Sequence, residues 1–399
     1  MRKLNTLPAN LYYGWWMVIT LAITETISWG VVYYAYSVII TTLEGEFGWS
    51  RTQVTGAFSL ALLISGGMAV PVGFWLDRHG ARGLMTVGSV AATLLMLGLS
   101  RVQTLLQLYL VWIGLGLTMA TILYEPAFVV VAQWFQRRRS SALMVITLAA
   151  GFASTIFLPL TAQLTASYGW RQAMVWLALL LGVTTIPLHA LVLRRSPAAV
   201  GQTVDGLPPA TPTATATAAS VSTTVPITVR EVLRNPAFWW LVLALSLGTM
   251  SAVGIRVHII PLLEDRGFDP IYAAWIGGLI GALQVFGRVL YAPVGGQISS
   301  ARVVTFIYLA QAVAFLILLL SPTTAAVWTF VVLFGAVYGA MTLARPAILA
   351  DRFGSTHYGR ISSIQYVFQT VATTAAPYGM ALLYTGFGNS YTEALMLLI

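Results

Sequence analysis

At 399 residues, 58% hydrophobic and 8% charged, the chain has too few ions to clothe a globular surface, because soluble domains run near a quarter charged. A water-soluble enzyme or binding module is thereby excluded, and the solvent is lipid. The formal net charge of +9 lies mostly in short loops, which argues against nucleic acid, and with no cysteine there is no disulfide framework, thiolate metal site or thiol chemistry.

Apolar runs of about 20 residues, enough to cross a hydrocarbon core of roughly 30 Å, recur at roughly 12–38, 53–76, 83–100, 104–134, 141–166 and 171–193. A second set comes at roughly 236–262, 272–297, 303–320, 324–350, 358–385 and 390–399, making twelve. The first run is longer than a signal segment and has no small-residue cleavage site, so it is expected to be retained. The last stops at Ile399 after about ten residues, so the twelfth helix is expected to be incomplete. With the N-terminus inside, fourteen of the 21 Lys and Arg fall in cytoplasmic loops and four in outer loops, the bias that fixes both termini in the cytoplasm. Short loops and the lack of sorting signals suggest a bacterial inner membrane.

In the first run, Glu25 sits near the midpoint of a span. Burial favours the neutral acid, so Glu25 is a candidate for proton coupling, alongside a structural reading in which Ser, Thr or Tyr neighbours satisfy it. The second and third runs are joined by Gly73-Phe74-Trp75-Leu76-Asp77-Arg78-His79-Gly80-Ala81-Arg82, in which glycines permit a tight turn and Asp77 can bond a helix terminus and the arginines. Late in the fourth run comes Leu123-Tyr124-Glu125-Pro126-Ala127, echoed in the tenth by Leu343-Ala344-Arg345-Pro346-Ala347 with the opposite charge. A proline there is expected to kink or loosen each helix.

Residues 194–235 form the one long polar stretch. With Pro208-Pro209-Ala210-Thr211-Pro212 and its Thr/Ala continuation, they read as a disordered cytoplasmic linker ending in a short pre-helix segment, between a six-helix bundle at 1–193 and a second at 236–399. Leu43-Glu44-Gly45 aligns with Leu263-Glu264-Asp265, Glu125-Pro126 with Arg345-Pro346, and Pro71-Val72-Gly73 with Pro293-Val294-Gly295, at a nearly constant offset. The chain is therefore expected to be an all-α membrane protein built from a duplicated six-helix unit, and such repeats place substrate near the midplane between rocking halves.

The Gly73–Arg82 segment matches the G-x-x-x-D-R-x-G-x-R signature of the major facilitator superfamily, and its second-half counterpart, Gly295-Gly296-Gln297-Ile298-Ser299-Ser300-Ala301-Arg302, has lost the acidic residue. Leu43-Glu44-Gly45-Glu46-Phe47-Gly48-Trp49-Ser50-Arg51, Trp134-Phe135-Gln136-Arg137-Arg138-Arg139 and Gly169-Trp170-Arg171 resemble the monocarboxylate-transporter branch and its bacterial relatives, including oxalate/formate exchangers. The resemblance implies a twelve-helix fold with alternating access. It also implies that an eighth-helix arginine, here Arg288, grips a substrate carboxylate, which its planar fork suits. The family often has aspartate one turn earlier where this chain has Gln284, and mammalian members have a first-helix lysine where this chain has Tyr34, so the family's ion-pair and lysine roles do not transfer.

Glu125 and Arg345 are expected to gate the cytoplasmic side, together with the Gly73, Asp77, Arg78, Gly80 and Arg82 motif. Arg256 and His258 lie two apart on the seventh span and so point to opposed sides; His258 is a second proton-coupling candidate. Tyr366, Gln369, Thr370 and Thr373 recur at i, i+3, i+4 and i+7, a polar stripe fit for a cavity wall, and Tyr34, Tyr124 and Tyr338 add hydroxyl donors. There is no Walker loop and no ligand spacing among His79, His189, His258 and His357, so neither cofactor, metal nor catalytic residue is expected. The reading is a monomeric secondary transporter of a small organic anion, proton-coupled or exchanging. Efflux of apolar compounds and a non-transporting sensor or membrane partner are the alternatives.

Overall fold

The computed structural model describes residues 12–206, 229–291, 297–353 and 358–398. Arg2, Lys3, the Pro/Thr-rich part of the linker, Pro293 to Gly296, His357 and Ile399 lie outside the described residues. The described chain is helical throughout. Ten helices are long and apolar enough to cross a membrane: α1 (Tyr13–Phe47), α2 (Arg51–His79), α3 (Ala81–Leu99), α4 (Leu105–Trp134), α5 (Arg139–Tyr168), α6 (Trp170–Leu191), α7 (Pro236–Asp265), α8 (Pro270–Tyr291), α9 (Ser300–Leu320) and α10 (Thr324–Phe353). Two more come after them in sequence, α11 (Tyr358–Gly386) and the short α12 (Thr392–Leu398).

The duplication is visible in where helices begin. From Arg51 to Pro270, Ala81 to Ser300, Leu105 to Thr324 and Arg139 to Tyr358, the displacement is 219 residues each time. Side chains such as Val183 and Leu320, each 73% exposed, face outward from the bundle where lipid, not water, would meet them. Inside the first half the rings of Tyr36, Phe58 and Trp112 pack with centroids 4.6–5.2 Å apart. In the second, Phe315, Phe330 and Phe334 play the same part. Helices α8 and α10 approach until a Cβ on Gly287 would lie 2.0 Å from the Ala336 carbonyl oxygen and one on Gly339 2.0 Å from that of Gln284, so neither position can carry a side chain without separating the helices.

Three of the spans are interrupted. In α1 a π-helical turn at Trp29–Tyr34 shifts the phase of everything after it. In α4 the helix stops at Ile122, Leu123 is extended (φ −96°, ψ −161°), and a second piece starts at Tyr124. Pro126 supplies the reason, since it has no N–H for the Ile122 carbonyl and its ring crowds that oxygen. In α5 the break is at Phe152. The echo of Pro126 behaves differently from expectation: α10 runs unbroken through Pro346.

Gly80 (φ +78°) closes α2 and opens α3, the left-handed turn that the motif's glycine serves. Asp77 is exposed, and the motif's arginine contacts run elsewhere: Arg82 Nε donates to the Ala190 carbonyl at 2.7 Å, and Arg195 donates to the Arg78 carbonyl at 2.6 Å. Gly73 has open space around its Cβ position.

Part of the stretch read as linker is built onto the first half. Residues 197–200 and 204–206 form 3₁₀ turns. Tyr13 N–H donates to Gln202 Oε1 at 3.0 Å. The Asp205 carboxylate accepts from the backbone N–H groups of Gln136, Arg137 and Arg138 at 3.1, 2.7 and 3.4 Å. Slight burial works against the Asp205 anion, but those three donors outweigh it and hold its carboxyl below the usual range. Before α7, Val229–Arg234 forms a short helix of its own.

Candidate functional site

The two halves meet along α2 and α11, α5 and α8, and α1 and α7. At the end of the bundle carrying Arg51 the seam is closed by charge. Ser50 caps α2 through a reciprocal bond with Gln53, which sets Arg51 in the first turn. Its guanidinium is 4% exposed. It binds Glu44 of α1 through two bonds of 2.7 Å, Asp265 at the end of α7 at 2.7 and 3.3 Å, and the Tyr391 hydroxyl at 3.0 Å, and it lies 4.1 Å over the Tyr384 ring. Glu44 belongs to the first half and Asp265 to the second. One cation therefore staples both halves. Below it, Thr52 meets the Ala381 carbonyl at 3.1 Å and Thr385 at 2.9 Å, and Tyr378 N–H donates to Ser59 at 3.1 Å.

Beneath this closure a cavity of about 260 Å³ lies between the halves. The π turn of α1 presents Trp29, Tyr33 and Tyr34 to it, α7 presents Arg256, α10 presents Tyr338, and α11 presents Tyr366, Gln369, Thr370 and Thr373. The polar stripe on α11 read from spacing is thus a cavity wall. Arg256 donates from Nη2 to the Tyr34 hydroxyl and from Nη1 to the Tyr338 hydroxyl at 3.1 Å. Among the described residues the ion pairs are those of Arg51 and Arg171, so Arg256 meets the cavity with neutral partners. Of its five N–H donors, two meet partners among the described residues.

The other sequence candidates separate from this group. Arg288 is outside the cavity lining and donates across the seam to the Thr147 carbonyl at 3.2 Å. Gln284 is buried, 6% exposed, where α8 presses on α10. Tyr124 packs its ring 5.0 Å from Trp29 and stacks on Phe128. Glu25 is fully buried and neither carboxyl oxygen has a hydrogen-bond partner among the described residues. His258 is also fully buried, held by the Tyr391 hydroxyl at 2.7 Å and the Pro377 carbonyl at 2.9 Å, on the side of α7 opposite Arg256.

Glu125 lines the cavity at the start of the second piece of α4, where the helix dipole favours a carboxylate, together with Tyr366 of the other half. Arg345 bonds Gln369 in its own half. The two charges read as a gating pair are on separate partners in this conformation.

The Major Facilitator Superfamily pattern matches residues 19–391. The chain belongs to that superfamily. It is 25% identical over 367 residues to monocarboxylate transporter 13 of Rattus norvegicus, covering 90% of this chain and 78% of the relative. To the uncharacterized MFS-type transporter YcxA of Bacillus subtilis (strain 168) it is 20% identical over 381 residues, covering 92% and 88%. Among solved structures it superposes on a bacterial homolog of the human lysosomal transporter Spinster with TM-score 0.73 at 14% identity, covering 98% of this chain and 86% of that one. On the nucleoside transporter NupG the TM-score is 0.72 at 10% identity, covering 97% and 96%. The superfamily's fold, an integral membrane bundle of two six-helix halves, is the fold seen here, and its members are secondary transporters rather than enzymes.

Two groups escaped the sequence reading. Arg256 is an intramembrane arginine like Arg288, and the phase of α7 decided between them. The Arg51 cluster had a signal in the close spacing of Glu44 and Arg51 around a helix break, but Asp265 is supplied by the other half. Removing Arg51 leaves Glu44 and Asp265, one from each half, facing each other without their shared cation. Arg51→Gln should therefore open this end. In the naturally cysteine-free chain, a single cysteine at Thr55, one turn below Arg51 and fully buried, should react with a water-soluble maleimide more than roughly tenfold faster in the Arg51→Gln background. An unchanged rate would mean that the cluster does not hold the closure.

Proposed function

We propose that this transporter carries a small organic anion of the monocarboxylate kind through the cavity between its halves, by alternating access. The observation that carries the reading is Arg256: a guanidinium in a cavity between membrane spans, with three free donors and no acidic partner among the described residues. An uncompensated cation at membrane depth is costly, and a carboxylate would both neutralise it and take a bidentate pair of its remaining donors. Tyr34 and Tyr338 hold the fork in place. The threonines and Gln369 of α11 offer further hydrogen bonds to the rest of a small ligand. A cavity of about 260 Å³ suits a small acid better than a bulky amphiphile. The similarity to monocarboxylate transporters over most of the chain supports the same class.

The anion site thereby moves from Arg288, where the family resemblance puts it, to Arg256, and Arg288 becomes a seam residue. The charge bias of the loops orients the Arg51 end outward and the Arg78 end toward the cytoplasm, in a bacterial inner membrane. The Thr55→Cys, Arg51→Gln protein tests the orientation on intact cells, where an impermeant reagent must reach that cysteine from outside.

Thermal unfolding of the purified protein against a panel of small carboxylates and neutral apolar compounds tests the site. At about 100 times Kd, linkage supplies ~2.7 kcal/mol, so a bound acid should raise Tm by several degrees. Arg256→Ala should abolish that rise and Arg288→Ala should retain it. Stabilisation by neutral compounds alone, indifferent to both changes, would replace anion carriage with apolar efflux.

Glu25 is the proton carrier in this reading, because a buried carboxylate with neither cation nor hydrogen bond is unfavourable unless it carries a proton. In proteoliposomes Glu25→Gln should preserve exchange of labelled substrate across the membrane and lose accumulation driven by an imposed pH gradient. If accumulation survives, the coupled proton resides elsewhere or the transporter works by exchange.

Glu125 and Arg345 complete the cycle as partners that meet when the Arg78 end closes, which fits their present separation. Glu125→Arg and Arg345→Glu should each reduce transport about tenfold or more, with partial recovery in the double exchange. No recovery beyond either single variant removes the pairing.

A further inference from the structure

His258 has no part in the cavity, yet it is joined to the closure above it by a continuous set of hydrogen bonds. Arg51 Nη1 lies 3.0 Å from the Tyr391 hydroxyl, that hydroxyl lies 2.7 Å from His258 Nδ1, and His258 Nε2 lies 2.9 Å from the Pro377 carbonyl of α11. The partners assign the protons. A carbonyl only accepts, so Nε2 carries hydrogen; Arg51 only donates, so the Tyr391 oxygen accepts from it. The Tyr391 hydrogen is then free to point at Nδ1, which in a neutral ring is an acceptor. Every donor and acceptor in the chain Arg51, Tyr391, His258, Pro377 is matched with His258 neutral.

A second proton on His258 breaks that match at one atom. Nδ1 becomes a donor facing a hydroxyl that was donating to it, so the Tyr391 oxygen confronts two cationic donors, and its own hydrogen loses its acceptor. The charged and titratable groups around the ring decide how the cluster responds. From α2 comes Arg51, the nearest full charge to the ring, and from α1 comes Glu44, beyond Arg51. Helix α7 itself supplies Glu264 and Asp265, α11 contributes Tyr384 and the Pro377 carbonyl, and Tyr391 stands just before α12. Thus an imidazolium would face the guanidinium first, and of the carboxylates Glu44 and Asp265 are already engaged by Arg51.

We propose that His258 is a proton-binding site wired through Tyr391 to the Arg51 closure: protonation reverses the His258–Tyr391 bond, loosens the grip of Tyr391 on Arg51 and biases the Arg51 end toward opening. The site needs no substrate and stands apart from Arg256, on the other side of α7. It gives the conformational equilibrium of the two halves a dependence on acidity whatever the cargo is.

The test is substrate-free. Spin labels on Gln103→Cys in the first half and Thr324→Cys in the second, both exposed at the Arg51 end, report the separation of the halves by double electron–electron resonance in lipid nanodiscs; the cysteine-free chain supplies no background sites. Between about pH 8 and about pH 5, a window in which histidine charge changes, the long-distance population of the parent should grow at least about threefold. His258→Gln should remove that response. Tyr391→Phe, which keeps the ring and deletes the hydroxyl, should also remove it and show more of the long-distance population at both ends of the range. A parent without a pH response overturns the proposal. So does a response that persists in His258→Gln, which would place the titrating group among Glu25, Glu44, Glu125, Glu264 and Asp265. A full response in Tyr391→Phe overturns the wiring through Tyr391, and this variant carries the test alone if His258→Gln does not fold. Because no ligand is added, failure here leaves the anion reading of Arg256 untouched, and failure of that reading leaves this measurement intact.

Discussion

The constraint on which the conformation depends is the single guanidinium of Arg51 held between a carboxylate of each half. Two α-helical bundles joined by a long polar segment have no reason to share one orientation unless something fixes the seam. Here a buried cation, a half-buried acid, a more exposed one and two tyrosines do so at one end. Removing three ions from water costs nearly as much as their attraction returns, so the cluster adds little net stability. What it adds is discreteness: the charges are either engaged together or solvated apart. A seam of purely apolar contacts would slide; one held by charge gives way as a unit, the behaviour that the proposed alternating access requires.

Closing one end with charge leaves the work of shaping the cavity to irregular backbone. The π turn of α1 rotates Trp29, Tyr33 and Tyr34 onto the cavity, and Gly30 lets the Phe157 ring lie against that turn, where a Cβ would come within 2.1 Å of it. The break at Leu123 does the corresponding job in α4, swinging a helix N-terminus and Glu125 toward the same space. Irregular backbone at membrane depth survives only where it is buried in protein or lines a cavity, and both interruptions satisfy that condition. The second half solves the same problem with α-helices that run unbroken past their prolines Pro261, Pro346 and Pro377. Its Pro346 leaves α10 continuous, so the two repeats, whose helices α2 to α5 and α8 to α11 begin in one register, are unequal in how they contribute to the site.

That inequality bounds what the sequence discloses. Membrane spanning, twelve helical positions and the duplication follow from composition and from the recurrence of Glu-Pro-Ala and Arg-Pro-Ala, because they depend on sums and offsets. The face each residue takes depends on phase, and phase accumulates through every interruption. A π turn costs about one residue of register, so extrapolating a regular α-helix past Trp29 misplaces Tyr34. Between α7 and α8 a similar margin separates Arg256 in the cavity from Arg288 at the seam, and family resemblance pointed to the second. The opposed directions of Arg256 and His258 were legible because two residues on one unbroken helix need no extrapolation. The Arg51 cluster was illegible for another reason: its partners Glu44, Asp265 and Tyr391 come from three places in the chain, and only the fold brings them together.

Arg51 and Arg256 show how one residue type serves two ends. Both are arginines largely removed from water, and both are flanked by two tyrosines. Around Arg51 the remaining donors are consumed by carboxylates from both halves, so its charge is satisfied by the protein and the result is a closure. Around Arg256 the tyrosines orient the guanidinium by cation–π contact and hydrogen bonding, and no acid among the described residues compensates its charge. In the proposed reading the ligand brings the counter-charge to Arg256, whereas at the closure the protein itself supplies it through Glu44 and Asp265. The acids are thus distributed unequally around the two arginines, and under the proposed anion reading the occupied cavity, rather than the empty one, is the electrically complete form.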